Sequence, residues 1–135
     1  MKKPVILVVD DSKPILSLLK VILGRKFDVY AANDGFGAMD WLMQGNKPDL
    51  IISDLQMPNI DGTELITYLS NSSYYEGVPV LILSGADNET IIENCKNMRI
   101  FDYIRKPFDP TDLLDKIDKA LGPTEQYANG SILVQ

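Results

Sequence analysis

Five side chains in this sequence carry the chemical groups from which a reactive site could be built. They are three carboxylates, one hydroxyl and one ammonium group, and each lies within two residues of the end of a short apolar run: Asp10, Asp11, Asp54, Ser84 and Lys106. Two carboxylates about 4 Å apart repel by roughly 4 kcal/mol at an effective dielectric constant of 20, so three gathered together need protonation, separation or a cation. Magnesium prefers oxygen ligands and commonly binds through one or two carboxylates. The residue types therefore predict a site for Mg²⁺.

The apolar runs before these residues are predicted to be the strands of a parallel sheet. They alternate with segments of helical periodicity, which is the pattern of strands joined by crossover helices. Their mostly continuous apolarity is typical of strands that are covered on both faces. The predicted strands span residues 5–9, 27–31, 50–53, 80–83 and 100–104. Because loops at the carboxyl ends of parallel strands form the site in such sheets, we expect the five polar side chains to meet at one edge.

Helices are predicted after each strand. The first is indicated by apolar residues at i, i+3, i+4 and i+7, with Ser12 as its N-cap and Gly24 at its end. Its apolar stripe consists of Ile15, Leu18, Leu19 and Ile22. Three further helices are predicted around the groups Ala38, Trp41 and Leu42; Leu65, Ile66 and Leu69; and Ile91, Ile92 and Cys95. The last helix has Asp109 as its N-cap and Pro110 at its first position, and it ends at Gly122.

The composition excludes several kinds of site. The 135 residues include no histidine and one cysteine, which excludes Ser-His or Cys-His catalysis, a phosphohistidine within the chain and an internal disulfide. A net charge of -6 argues against a nucleic-acid surface, since phosphate backbones are bound by clustered Lys and Arg. No apolar run approaches the roughly 20 residues that cross a bilayer. We therefore expect one cytoplasmic α/β domain that binds neither nucleic acid nor membrane, and whose partners are proteins and cations.

An ordered set of motifs at the ends of the predicted strands is characteristic of one family. The set comprises Asp10-Asp11, Ser53-Asp54-Leu55-Gln56-Met57-Pro58 with Asp61-Gly62, Ser84-Gly85, Tyr103, and Lys106-Pro107-Phe108. Over residues 4 to about 121, the chain resembles the receiver domain of two-component response regulators, in particular the single-domain chemotaxis type. The resemblance implies an α/β, flavodoxin-like, doubly wound (βα)5 fold with a five-stranded parallel sheet in the order 2-1-3-4-5. Residues 1–122 would form this domain, and residues 123–135 would form a C-terminal tail or the start of a linker.

The resemblance also implies a reaction at Asp54. This carboxylate would be the nucleophile that accepts a phosphoryl group from a phosphohistidine and forms an acyl phosphate. Mg²⁺ would be ligated directly by Asp11, Asp54 and the backbone carbonyl of Gln56, and through water by Asp10. Because the sequence contains no histidine, the donor would be a sensor histidine kinase or a phosphotransfer protein.

Three residues would couple this reaction to a partner, by the same resemblance. Lys106 would pair with a phosphoryl oxygen, Ser84 would turn inward to hydrogen-bond the phosphoryl group, and Tyr103 would follow from an exposed to a buried position. The coupling would switch a surface formed by the fourth helix, the fifth strand and the last helix, and so control a downstream protein target. The chain would be a signalling switch that assists its own phosphorylation and dephosphorylation, as a monomer or a weak phosphorylation-dependent dimer.

Other interpretations of the same residues stay open. Lys106 alone would more often be a surface amine paired with Asp109. Two rival functions are a magnesium-dependent phosphohydrolase and an interaction module that is never phosphorylated. The phosphohydrolase would carry its nucleophile after the first strand, in an Asp-x-Asp pair rather than as the adjacent Asp10 and Asp11.

The sequence departs from the family pattern just before Tyr103. Arg99 and Ile100, followed by Phe101, stand where a small Gly-Ala pair is common. We therefore expect an individual partner surface around the end of the fourth helix.

Overall fold

A sheet of parallel strands organises the chain. The structure is a computed structural model that describes residues 2–55, 62–85 and 100–122. Its strands are β1 (Val5–Val9), β2 (Asp28–Ala32), β3 (Leu50–Asp54), β4 (Val80–Ser84) and β5 (Asp102–Arg105). All strand pairs within these residues are parallel, and the strand order is β2-β1-β3-β4-β5. The predicted five-stranded parallel sheet and its order are therefore confirmed.

β1 spans the predicted residues, whereas the ends of the other four strands differ from the predicted ones by one or two residues. β2 begins one residue later than predicted, because the Phe27 N–H still donates to the Leu23 carbonyl of the preceding helix at 3.0 Å. β3 and β4 each continue one residue further, to Asp54 and Ser84, since both residues still pair with the neighbouring strand. β5 begins two residues later than predicted and ends one residue later. Asp54 and Ser84 are thus held on strands rather than on the loops after them.

Helices connect the strands and cover the sheet. Those in the described residues are α1 (Lys13–Leu23), α2 (Gly35–Met43), α3 (Gly62–Ser70), a short 3₁₀ helix (Ser73–Tyr75) and, after β5, the last helix (Pro110–Leu121). The predicted N-caps are confirmed: the Ser12 hydroxyl accepts from the Ile15 N–H at 3.4 Å, and the Asp109 carboxylate accepts from the Thr111 N–H at 3.1 Å. Two predictions lie outside the described residues, namely the fourth helix around Ile91, Ile92 and Cys95 and the tail 123–135.

The buried face of α1 matches the predicted apolar stripe at all but one of its four residues. Leu16, Leu19 and Leu23 are buried, and their i, i+3, i+7 spacing places them on one face. Leu18, which belongs to the predicted stripe, is 45% exposed. The helix carries apolar residues on most of its circumference, so the sequence pattern fits two adjacent faces equally well. The predicted helix is confirmed, and Ile15, Leu19 and Ile22 of its predicted stripe pack on the core; only Leu18 is wrongly predicted to be buried.

The three central strands, β1, β3 and β4, are buried on both sides because helices pack on both faces of the sheet. Ile6 and Val8 of β1 pack with residues of α1 and the last helix, whereas Leu7 and Val9 pack with residues of α2 and α3. This is the alternation that the two-residue period of a strand produces. Burial of such apolar surface is the dominant favourable term in folding, so it fixes the strands and the polar side chains at their carboxyl ends.

The two leucines at positions 18 and 19 test the assignment of the buried face. Replacing the fully buried Leu19 by Ala is expected to lower the free energy of unfolding by about 2–5 kcal/mol, because it leaves a cavity in the core. The control Leu18→Ala removes the same atoms from a partly exposed position and should cost less than about 1 kcal/mol. Urea unfolding followed by circular dichroism measures both values. Equal losses would show that α1 buries a different face.

Candidate functional site

Asp10 is a fully buried carboxylate at the end of β1. Its backbone N–H donates to the Ala32 carbonyl at 3.1 Å, which holds the residue against β2. One carboxylate oxygen, Oδ1, accepts from the Ser12 N–H at 2.9 Å, just before α1 begins. The other oxygen, Oδ2, accepts no hydrogen bond from the described part of the chain. A buried anionic oxygen in this situation needs a cation beside it.

Asp54 is the second buried carboxylate. It is the last residue of β3, where it lies opposite Leu83 of β4, and its side chain is 9% exposed. The buried hydroxyl of Ser53 donates to the Asp54 backbone carbonyl at 2.9 Å. Position on a paired strand therefore fixes this carboxylate more firmly than position on a loop would.

Asp11 completes a cluster of three carboxylates. One oxygen from each of Asp10, Asp11 and Asp54 can be chosen so that the three atoms lie within 4.8 Å of one another. Asp11 is exposed, whereas the other two residues are buried. The cluster is thus open to solvent on the side of Asp11, where a small ion or a phosphate group can approach.

Lys106 is the cation beside the two buried carboxylates. Its Nζ lies 2.8 Å from Asp10 Oδ2 and 3.2 Å from Asp54 Oδ2, and it donates a hydrogen bond to the latter. The closer contact, with Asp10, is an ion pair. Lys106 therefore compensates for the burial of both carboxylates, which lie on different strands.

The pKa of Lys106 is raised above its ordinary value. Burial disfavours the ammonium and by itself lowers the pKa, but the contacts with Asp10 and Asp54 together outweigh that effect. Lys106 is therefore protonated at neutral pH. One ammonium against three carboxylates leaves a formal charge of -2 in the cluster. At 4.8 Å, two like charges repel by roughly 3–4 kcal/mol for an effective dielectric constant of 20.

The donor set of the cluster fits a hard divalent cation. It consists of carboxylate oxygens, and the buried Asp10 Oδ2 has an ion pair but no hydrogen bond. Oxygen donors without imidazole or thiolate suit Mg²⁺, which usually retains several water ligands. Oxygen separations of up to 4.8 Å leave room for such water.

Ser84 lies at the end of β4 and is linked to Lys106 through the backbone. The Lys106 N–H donates to the Ser84 carbonyl at 2.7 Å, and the Lys106–Pro107 peptide bond is cis. The buried Ser84 hydroxyl donates to the Gly85 carbonyl at 2.9 Å. The hydroxyl predicted to bind a phosphoryl group is therefore engaged with the backbone in this structure.

Tyr103 and Gln56 are the remaining predicted site residues. Tyr103 of β5 is 42% exposed. Gln56 lies outside the described residues. The alternative pairing of Lys106 with Asp109 is wrong, because Lys106 bonds to Asp10 and Asp54 while Asp109 caps the last helix.

Two features of the site have no signal in the sequence. One is that Lys106 bridges Asp10 and Asp54. The other is Lys116 of the last helix, which donates to the Tyr103 carbonyl at 2.9 Å. Lys116 and Lys119 are both lysines on the same helix, so only the packing of that helix distinguishes them.

Comparisons with known proteins agree with this fold. The family model of the response regulator receiver domain matches residues 6–118. Two similar proteins are hybrid signal transduction histidine kinase D of Dictyostelium discoideum, 27% identical over 115 residues, and sensor histidine kinase TmoS of Ectopseudomonas mendocina, 28% identical over 119 residues. These matches cover 85% and 88% of this chain but only 7% and 12% of the two relatives.

A solved structure is similar over nearly its whole length. The chemotaxis response regulator CheY4 of Vibrio cholerae superposes with a TM-score of 0.80 at 28% identity, covering 88% of this chain and 99% of that one. The chain belongs to the response regulator receiver domain family of two-component systems. The resemblance inferred from the motifs is therefore confirmed.

The described helices include no candidate for a membrane span. Within residues 2–55, 62–85 and 100–122, none is both long enough and apolar enough to cross a bilayer.

Removal of the Lys106 ammonium tests its role in holding the buried carboxylates. In protein free of divalent cations, Lys106→Met should lower the free energy of unfolding by on the order of 3 kcal/mol, because it leaves Asp10 and Asp54 without their cation. The control Lys119→Met removes an exposed lysine and should change stability by less than about 0.5 kcal/mol. Urea unfolding in EDTA measures both. A loss for Lys106→Met no larger than that of the control would contradict the proposed compensation.

Proposed function

We propose that this chain is a phosphoacceptor switch in which Asp54 takes up a phosphoryl group in a Mg²⁺-dependent reaction. The donor is a sensor histidine kinase or a phosphotransfer protein. One observation carries the proposal: a strand-held Asp54 lies beside two further carboxylates and Lys106 in a chain of the receiver family. The sequence contains no histidine, so the donor group belongs to another protein or to a segment outside this sequence.

The reaction is a displacement at phosphorus. An oxygen of the Asp54 carboxylate forms a bond to phosphorus, while the bond between phosphorus and the donor nitrogen breaks and its electron pair leaves with the imidazole. The product is an acyl phosphate on Asp54. The fixed strand position of Asp54 reduces the orientational cost of this step.

The other residues of the cluster manage charge. Asp11, Asp54 and the carbonyl of Gln56 would hold Mg²⁺ directly, and Asp10 would hold it through water. The bound ion offsets negative charge on the transferring group. Lys106, whose Nζ is 3.2 Å from Asp54 Oδ2, is already within reach of an oxygen attached there. It would then share its charge between the phosphoryl group and Asp10.

The output follows from the change in charge. Phosphorylation adds about -1.5 to -2 units of charge, which favours donors turned toward Asp54. The Ser84 hydroxyl, which donates to the Gly85 carbonyl, would donate to a phosphoryl oxygen instead. Tyr103 would move inward after it. The exposed side chains of Tyr103 and Phe101 near β5, together with the last helix and the predicted fourth helix, would form the surface that a downstream protein reads.

The structure gives little support to the phosphohydrolase alternative. Its nucleophile would lie after the first strand, and Asp10 at that place is fully buried, with one oxygen on the Ser12 N–H and the other against Lys106. A carboxylate so engaged is a poor nucleophile. The interaction module would remain the leading alternative if Asp54 proved unreactive.

Phosphorylation by a small-molecule donor tests the proposal without a partner kinase. Intact-protein mass spectrometry after incubation with acetyl phosphate and Mg²⁺ should reveal a gain of one phosphoryl group. The gain should be absent in EDTA and in the Asp54→Asn variant, because each lacks an essential part of the site. The control Asp28→Asn changes an exposed acid on the edge strand and should be phosphorylated like wild type. An unmodified wild-type protein, or a fully modified Asp54→Asn protein, would overturn the proposal.

Binding of Mg²⁺ is tested separately by thermal unfolding. At ten times its dissociation constant, a ligand adds about 1.4 kcal/mol of stability, which should raise Tm by about 3–6 °C for a domain of this size. The Asp11→Asn variant should lose most of this rise, since it lacks the solvent-facing carboxylate of the cluster. The shift for Asp28→Asn should equal that of wild type. If Mg²⁺ raised the Tm of Asp11→Asn as much as that of wild type, the ion would have to bind elsewhere.

A further inference from the structure

Lys116 of the last helix contacts both the backbone and the ring of Tyr103. Its Nζ donates to the Tyr103 carbonyl at 2.9 Å and lies 5.9 Å from the centroid of the Tyr103 ring. The same Nζ is 3.4 Å from Asp102 Oδ2, while Asp102 Oδ1 accepts from the Tyr103 N–H at 2.8 Å. The pair of Asp102 and Lys116 therefore engages both polar backbone groups of Tyr103 and places an ammonium near its ring.

Lys116 approaches Tyr103 from the edge of the sheet, on the side of β5 away from Ser84. Ile104, the next residue of β5, is buried with Leu113 and Ile117 of the last helix. Because successive side chains of a strand point to opposite faces, the Tyr103 ring lies on the face away from that helix. β5 is one of the two edge strands of the described sheet, so the Lys116 side chain reaches Tyr103 at the sheet edge. Ser84 lies on β4, on the inner side of β5.

We propose that Lys116 is a positioning residue that holds the Tyr103 ring outward and so sets how far the unphosphorylated domain already populates the switched state. The proposal rests on the proposed function, in which Tyr103 moves toward Ser84. When the Tyr103 ring turns toward β4, it loses its contact with the Lys116 ammonium at the sheet edge. The hydrogen bond from Lys116 to the Tyr103 carbonyl is kept, because it does not involve the ring. The contact between the ammonium and the ring therefore favours the outward position of the ring.

The expected size of this bias follows from the geometry. At 5.9 Å, the ammonium lies at the outer limit for attraction to an aromatic ring, and Lys116 is 24% exposed. Such a contact changes a two-state population by about two- to fivefold. Lys116 thus adjusts a switch that phosphorylation drives further.

A side-chain measurement on the unphosphorylated protein tests the proposal. Three-bond NMR couplings to the Tyr103 ring carbon give its χ1 populations, and the ring signals are assigned by comparison with Tyr103→Phe. Lys116→Met keeps the aliphatic stem and removes the ammonium. The population of the inward ring position relative to the outward one should therefore rise by about two- to fivefold. Lys116→Arg should restore the wild-type ratio, because it retains a cation near the ring. Lys119→Met is the matched control, since Lys119 pairs with Asp115 on the same helix.

Two outcomes would overturn this role of Lys116. One is an unchanged χ1 ratio in Lys116→Met, and the other is an equal change in Lys119→Met, which would indicate a general effect of charge on the last helix. Failure of the proposed function is recognised separately: wild-type protein would then gain no phosphoryl group from acetyl phosphate, whatever the χ1 ratios. Circular dichroism and Tm establish that each variant is folded before its ratio is compared.

Discussion

The structure depends on the burial of the Asp10 carboxylate beside Asp54. A carboxylate without solvent needs hydrogen bonds and a cation, and the chain supplies these from separate elements. The Ser12 N–H at the start of α1 binds one oxygen, and Lys106 from the segment after β5 lies 2.8 Å from the other. Because Lys106 also bonds to Asp54 at the end of β3, one ammonium links the carboxyl ends of three strands across the sheet.

Compensation of the buried charge is incomplete, and this gives the site its chemistry. Three carboxylates lie beside one ammonium, so a divalent cation bound to their oxygens would relieve their mutual repulsion. A phosphoryl group on Asp54 would compete with Asp10 for Lys106. Since the Lys106 N–H bonds to the Ser84 carbonyl, a shift of Lys106 acts on β4 as well as on β5. Coupling of this kind lets a local change in charge bias a larger rearrangement.

The fold and the members of the carboxylate cluster could be predicted from the sequence because they follow from short-range patterns. Apolar runs mark strands, and polar residues at their ends meet wherever the strands are parallel. Details set by packing could not be predicted. Leu18 and Leu19 are equally apolar, and only the approach of the sheet selects Leu19 for burial. Lys116 and Lys119 lie on one helix, yet only Lys116 reaches Tyr103, because side-chain contacts between distant segments depend on how those segments pack.

The most direct test of this account is to locate a divalent cation crystallographically. Crystals grown with Mn²⁺, which has the same preference for oxygen ligands, would be measured for anomalous scattering. We predict one strong peak among Asp10, Asp11 and Asp54, in direct contact with carboxylates of Asp11 and Asp54, and with Lys106 still beside Asp10. A cluster without a peak at saturating Mn²⁺, or a peak elsewhere on the domain, would contradict the claim that incompletely compensated carboxylates form the functional site.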